Sequence, residues 1–240
     1  MSEWSAFEGE MMDSLRAKSP QYAAMLKGLA PAEAERTVAV ADFENFLPPA
    51  GTQVGDLWAL PDEKSFAFLQ QLHPKVRHRL NIDGAGAHAV LQASSSERVR
   101  VLFRLHPQFE IAEKVYLSPA QFAGDMVYNT RTRTVESWEL KVPQDHALNV
   151  SIEVHKDHWP VALGKVDNMG LKIKGQGGPA PAEWDSEVPR SQALASLKQK
   201  FYAFEAIPWP PLEQALESAK SQHKPVLAIV IAGSLDDQSC

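Results

Sequence analysis

The sequence predicts an α+β fold, and three observations carry the prediction. Period-two alternation of apolar and polar residues clusters in the middle of the chain. Helical periodicity flanks it on both sides. A Gly/Pro-rich stretch then sets the last helical region apart. These shifts divide the chain into an N-terminal helical segment (1–84), a β-rich domain (85–175), a linker (176–190) and a C-terminal unit (191–240).

In the N-terminal segment, residues 10–29 read as helical. Ser19 suits the N-cap and Pro20 the first helical position. Tyr22, Met25, Leu26 and Leu29 follow at helical spacing. The Pro- and Gly-rich stretch after Asn45 reads as an ordered connection, because Phe46, Leu47 and Trp58 need burial. A second helical stretch over 62–80 contains Phe66, Leu69, Leu72, Val76 and Leu80, with a break at Pro74. The Gly-x-Gly of DGAGAH (83–88) lacks the third glycine and the strand-turn-helix context of a dinucleotide site, so it reads as a turn.

The middle of the chain changes period. Val99, Val101, Phe103 and Leu105 alternate with Arg98, Arg100, Leu102 and Arg104. Trp138, Leu140 and Val142 alternate with Ser137, Glu139 and Lys141, and the same pattern recurs in 148–154. Alternation of this kind predicts antiparallel strands with one solvated face. Ser118-Pro119 is read as the start of a short helical turn closed by Gly124. Beyond the linker, 191–204 reads as a helix with Leu194, Leu197 and Phe201 on one side.

Composition narrows the function. The chain has 240 residues, 44% hydrophobic and 22% charged, as in a protein with a real core. A net charge of -6 argues against a nucleic-acid partner and against docking on an anionic membrane. The first residues carry acidic side chains and no apolar h-region, and no run of apolar residues is long enough to span a bilayer. The expectation is a cytoplasmic protein. The single cysteine, Cys240, excludes an internal disulfide.

That cysteine closes an ordered run of signals. Pro210 and Pro211 start a helix whose stripe is Leu212, Ala215, Leu216 and Ala219; Pro225 forbids its continuation. VLAIVIA (226–232) has no polar alternation and reads as a strand buried on both faces. GSLDDQSC follows. Helix, Lys-Pro, buried strand, short loop and cysteine resemble the opening half of a thioredoxin-like domain, so the C-terminal unit is expected to be an incomplete one.

GSLDDQSC also resembles the redox-site approach of the selenoprotein N family, in which Ser-Cys is followed by selenocysteine and glycine. PLEQALESAKSQHKPVLAIVI is similar to the helix and strand that lead into that site. FRLHPQFEI, LSPAQFAGDMV and ELKVPQDHALNVSIEV resemble, in order, segments of the family's central region, so the likeness covers residues 36–240. The resemblance implies a thiol/selenol-disulfide oxidoreductase with Cys240 as its catalytic residue, one half of a Cys-selenocysteine pair. It implies a disulfide-containing protein or a small thiol as partner, and no bound cofactor. Because selenocysteine is encoded by UGA, an ordinary reading frame would break off at Cys240, and the expectation is a fragment inactive by itself. The terminal carboxylate, Asp236 and Asp237 would raise the thiol from its ordinary pKa of about 8.5. An unfinished sheet would also make self-association possible. The sequence departs from vertebrate members of the family in having neither a signal peptide nor an EF-hand loop. The alternative function is a non-catalytic interaction module with a redox-sensing thiol.

Other candidates are weaker. His155 and His158 are spaced like helical metal ligands but fall at a predicted strand end, with no cysteine partner, so no metal is expected. His73, His78, His88 and His106 are scattered and read as structural or surface groups. GQGGP lacks the Lys-Ser/Thr of a phosphate loop, and no Gly-x-Ser-x-Gly element is present. Trp58, Trp138, Trp159, Trp184 and Trp209 read as packing residues.

Overall fold

A computed structural model describes residues 2–4, 13, 15–17, 19–27, 29–78, 86–119, 121–143, 150–154, 160–164, 169–173, 183–201, 207 and 209–227. The chain opens with strand β1 (Ser2–Trp4), helix α1 (Pro20–Lys27) and the short helix α2 (Val40–Phe43), which runs into a 3-10 turn at Glu44–Phe46. Strand β2 (Leu57–Ala59), helix α3 (Asp62–Ala67), a second 3-10 turn (Phe68–Gln71) and strand β3 (Val76–His78) follow. Then come β4 (Gly86–Ser94), β5 (Arg98–Ala112), β6 (Val115–Pro119), β7 (Phe122–Asn129), β8 (Thr134–Lys141), β9 (Val150–Val154), β10 (Pro160–Gly164), β11 (Met169–Lys172) and β12 (Ser186–Glu187). Two helices end the described chain, α4 (Arg190–Phe201) and α5 (Leu212–Gln222).

The architecture is α+β, with every strand pairing antiparallel. The main path runs β1-β11-β8-β7-β5-β6-β9-β10, with β4 also on β5 and with β2 and β12 on β4. Strand β5 is the spine. Its first part pairs with β4 and β7, as far as His106 and Leu105 respectively. Its second part pairs with β3 and β6. Pro107 sits at the handover, paired with His78. A residue with no N–H to donate fits where one set of ladder bonds ends and another begins.

One face of the sheet carries the large core. Val101, Phe103, Leu105 and Phe109 of β5 join Met126, Trp138 and Leu140 and the N-terminal residues Leu26, Phe43, Phe46, Phe68 and Leu72 in one buried cluster. The Phe46 ring lies 4.5 Å from Phe103 and 6.2 Å from Trp138, centroid to centroid. The helical segment is therefore packed through shared aromatic rings onto the sheet. On the other face, Ala193 and Leu197 of α4 close over Val90 and Leu102.

That second cover corrects the expectation of one solvated face. Residues 101–109 are buried without interruption. Arg104 is buried although it belongs to the polar half of the alternation. Its guanidinium lies 5.5 Å from the Phe201 ring of α4, a cation–π distance. Its neighbours Arg98 and Arg100 stay half-buried in carboxylate pairs.

Other expectations are corrected too. Ser118-Pro119 closes strand β6 instead of starting a helical turn, and Gly124 lies in mid-β7. Val76 belongs to β3, so the second helical stretch ends before Pro74. Gly86 and His88 open strand β4 instead of forming a turn. Leu194 is exposed; the buried side of α4 is Ala193, Leu197 and Phe201. The expected helix start at Pro20 is observed. The strands read from 98–105 and 137–142 are observed as β5, which runs on to Ala112, and β8, which starts earlier at Thr134.

Candidate functional site: the approach to Cys240

Cys240 and the run 228–239 lie outside the described residues, as do His155, His158, Trp159 and GQGGP. The structure describes what leads to them. Residues 185–188 are attached to the edge of β4: Ser96 N–H donates to Asp185 Oδ2 (2.8 Å), Val188 N–H to Gln92 O (3.0 Å), and Gln92 Nε2 to Val188 O (2.7 Å). Arg190, the first residue of α4, then pairs with Asp125, which also accepts a two-pronged bond from Arg100 at 3.1 and 2.7 Å. The Asp125 bond and, second, its charge hold the Arg100 guanidinium above its ordinary pKa against desolvation. Two arginines on one half-buried carboxylate fix the start of α4 against β5 and β7.

Helix α5 follows. Its last turn ends in a Schellman motif: His223 adopts the left-handed conformation (φ 51°, ψ 41°), and its N–H and that of Lys224 bond back to Lys220 O and Ala219 O. Lys224-Pro225 follows, and Pro225 cannot continue the helix. The expected stripe is present but uncovered: no residue of α5 is buried, and Leu212 and Leu216 are 56% and 45% exposed. Ile207 and Trp209 add exposed apolar surface before it; after it Val226 and Leu227, expected to open a strand buried on both faces, are exposed and outside any strand, and 228–232 lie outside the described residues. Trp209, read as packing, is among the exposed groups; Trp138 is buried.

The scattered histidines take separate places. His73 stands edge-on to Phe109 (5.9 Å), and burial holds its imidazole below the ordinary value. His88 meets Phe201 edge-on at 5.3 Å, and His106 is buried. Among the described residues, no group of three His, Cys, Asp or Glu side chains is placed to hold a metal ion. None of the described helices is long and apolar enough to cross a membrane.

Sequence reasoning missed the polar clamps, which join elements distant in sequence. Glu44 of the 3-10 turn accepts from Tyr128 Oη (3.0 Å) and from Arg133 Nη2 (2.7 Å). Arg98 Nε donates to both oxygens of Glu136, at 2.8 and 2.9 Å. The Arg133 bond, then the Tyr128 bond, hold the Glu44 carboxyl below its ordinary 4.5. A carboxyl depressed by folding contributes stability above that value and loses it as pH falls through the folded pKa. In a carboxyl NMR titration, Arg133→Ala is expected to move the Glu44 midpoint up toward 4.5. The stability gap between the two proteins should close as pH falls below the wild-type midpoint. An unmoved Glu44 midpoint would show that the contact is electrostatically idle.

The fold and its approach define a mixed α+β protein whose antiparallel sheet carries a C-terminal helical extension. No protein-family model and no solved structure matches the chain. Three curated proteins do. Selenoprotein N of Homo sapiens is 26% identical over 256 residues, covering 82% of this chain and 43% of the human protein. Selenoprotein N of Danio rerio is 25% identical over 269 residues, covering 88% of this chain and 48% of the fish protein. The Mus musculus protein is 25% identical, with 82% and 46% covered. The chain is related to the selenoprotein N family, and it spans less than half the length of these relatives.

Proposed function

We propose that this chain is part of a thiol/selenol-disulfide oxidoreductase similar to selenoprotein N, with Cys240 as one half of a cysteine-selenocysteine pair. The observation that carries the reading is the similarity to selenoprotein N over more than four fifths of the chain. The GSLDDQSC motif (233–240) supports it at the site itself. The uncovered stripe of α5, followed by Lys224-Pro225 and an apolar run, supports a thioredoxin-like unit built from this region and further chain.

In this reading one member of the pair, as thiolate or selenolate, attacks a substrate disulfide. One sulfur leaves as a thiolate, and a mixed intermediate forms. The other member then attacks the pair member bound to substrate. A selenenylsulfide closes and the second substrate thiol is released. The substrate gains two electrons, the pair loses two, and an external dithiol returns it to the reduced form. The partner is a disulfide-containing protein or a small-thiol substrate.

The test is disulfide reduction by the longer protein carrying the residue after Cys240. Cys240→Ser is expected to bring turnover to background while far-UV circular dichroism stays unchanged. Undiminished turnover in the serine variant would remove Cys240 from the chemistry. The codon after Cys240 supplies a second check: UGA followed in frame by a glycine codon is the expected reading.

A further inference from the structure

A cleft of about 310 Å³ opens between the strap of residues 35–38 and the end of the sheet where β8 meets β11. It is within the size range of small-ligand sites. Its floor is aromatic: Phe68 packs on Phe43 at 5.0 Å and on Trp138 at 5.1 Å, with Ile173 beside them. The strap is tied down at Arg36 and through the two residues that lead into it. Glu33 N–H donates to Gln71 O (3.0 Å), Gln71 Nε2 to Ala34 O (3.3 Å), and Arg36 Nη1 to Ala67 O (3.3 Å).

The polar lining is asymmetric. Its charged lining is Glu35, Arg36 and Lys172, and Arg36 is the group with donors to spare. A guanidinium has five N–H donors, and the bond to Ala67 uses one. A cation beside a low-dielectric aromatic floor attracts an anion more strongly than it would in open water.

We propose that this cleft binds a small anion with an apolar body, a carboxylate or sulfonate on an aliphatic or aromatic frame. The frame lies on the Phe43, Phe68 and Trp138 floor, and the acid meets Arg36 at the edge. Binding at this cleft does not require the thiol of Cys240.

Octanoate titrated into the full chain by calorimetry, with Trp fluorescence as a second readout, tests the proposal. Saturable one-site binding is expected. Arg36→Ala, at an exposed position, should weaken it by about tenfold, the scale of one charge-assisted hydrogen bond. Octan-1-ol, without the charge, should bind weaker by a similar factor. Ile173→Trp should fill the cleft and abolish binding, with a thermal melt confirming that the variant folds. The exposed stripe of α5 is the competing apolar surface, so Leu212→Ser with Leu216→Ser should leave binding unchanged. No saturable octanoate binding at millimolar concentration overturns the proposal. So does binding that survives Arg36→Ala undiminished or disappears with the α5 stripe.

Discussion

Gly124→Val is expected to remove a large part of the protein's stability. In the register of β5 and β7, Gly124 stands directly opposite Phe103. A Cβ built there would lie 2.1 Å from one Phe103 ring carbon and 2.2 Å from the next. The ring crosses its strand neighbour because that neighbour has no side chain. It has nowhere to retreat, since Phe46 lies 4.5 Å away and Trp138 stacks at 6.0 Å. Ordinary overpacking costs about 1–3 kcal/mol. Expelling the ring instead costs on the scale of a buried Phe→Ala change, so about 3–5 kcal/mol is expected. That is a large part of the roughly 5–15 kcal/mol that holds a typical domain. Urea unfolding measures it, and adding Phe103→Leu to Gly124→Ala should restore part of the loss relative to Gly124→Ala alone. A change below about 1 kcal/mol for valine would mean that the ring has another place to go.

Phe46→Ala should be nearly as costly, about 3–5 kcal/mol. Phe46 is fully buried and touches Phe68 of its own segment and Phe103 and Trp138 of the sheet. Deleting it opens a cavity where the N-terminal segment and the sheet share a core. Trp138 fluorescence and far-UV circular dichroism should therefore shift together along urea. A shift in one and not the other would mean that the segment and the sheet unfold separately.

The parts of the fold visible in sequence were those where one strand face stayed polar. In β8, Glu139 and Lys141 remain exposed while Trp138 and Leu140 are buried, and alternation reads it directly. The N-terminal half of β5 was visible for the same reason. Its burial on both faces was not, because nothing local announces that α4 will close over Arg104. β7 was misread at Gly124: Phe122, Gly124, Met126 and Tyr128 alternate inward, but a glycine there looks like punctuation until Phe103 is seen over it. β4 was hidden by small residues. Its Gly86, Ala87, Ala89 and Ala93 carry little apolar signal yet pair along β5. At the candidate site, the helix before Lys224-Pro225 was legible from its stripe and its prolines. The clamps on Asp125 and Glu44 were not, because each joins residues far apart in sequence.

The attachment of residues 185–188 and Arg190 to the sheet gives the C-terminal part a short leash. Only eight residue steps separate Phe201, at the anchored end of α4, from Trp209. A fully extended chain of that length reaches at most about 28 Å. Trp209, just before α5, therefore stays within that reach of the anchored end of α4. The exposed indole of Trp209 and any sheet surface within that reach are thus a tethered pair, whose encounter is independent of how dilute the protein is.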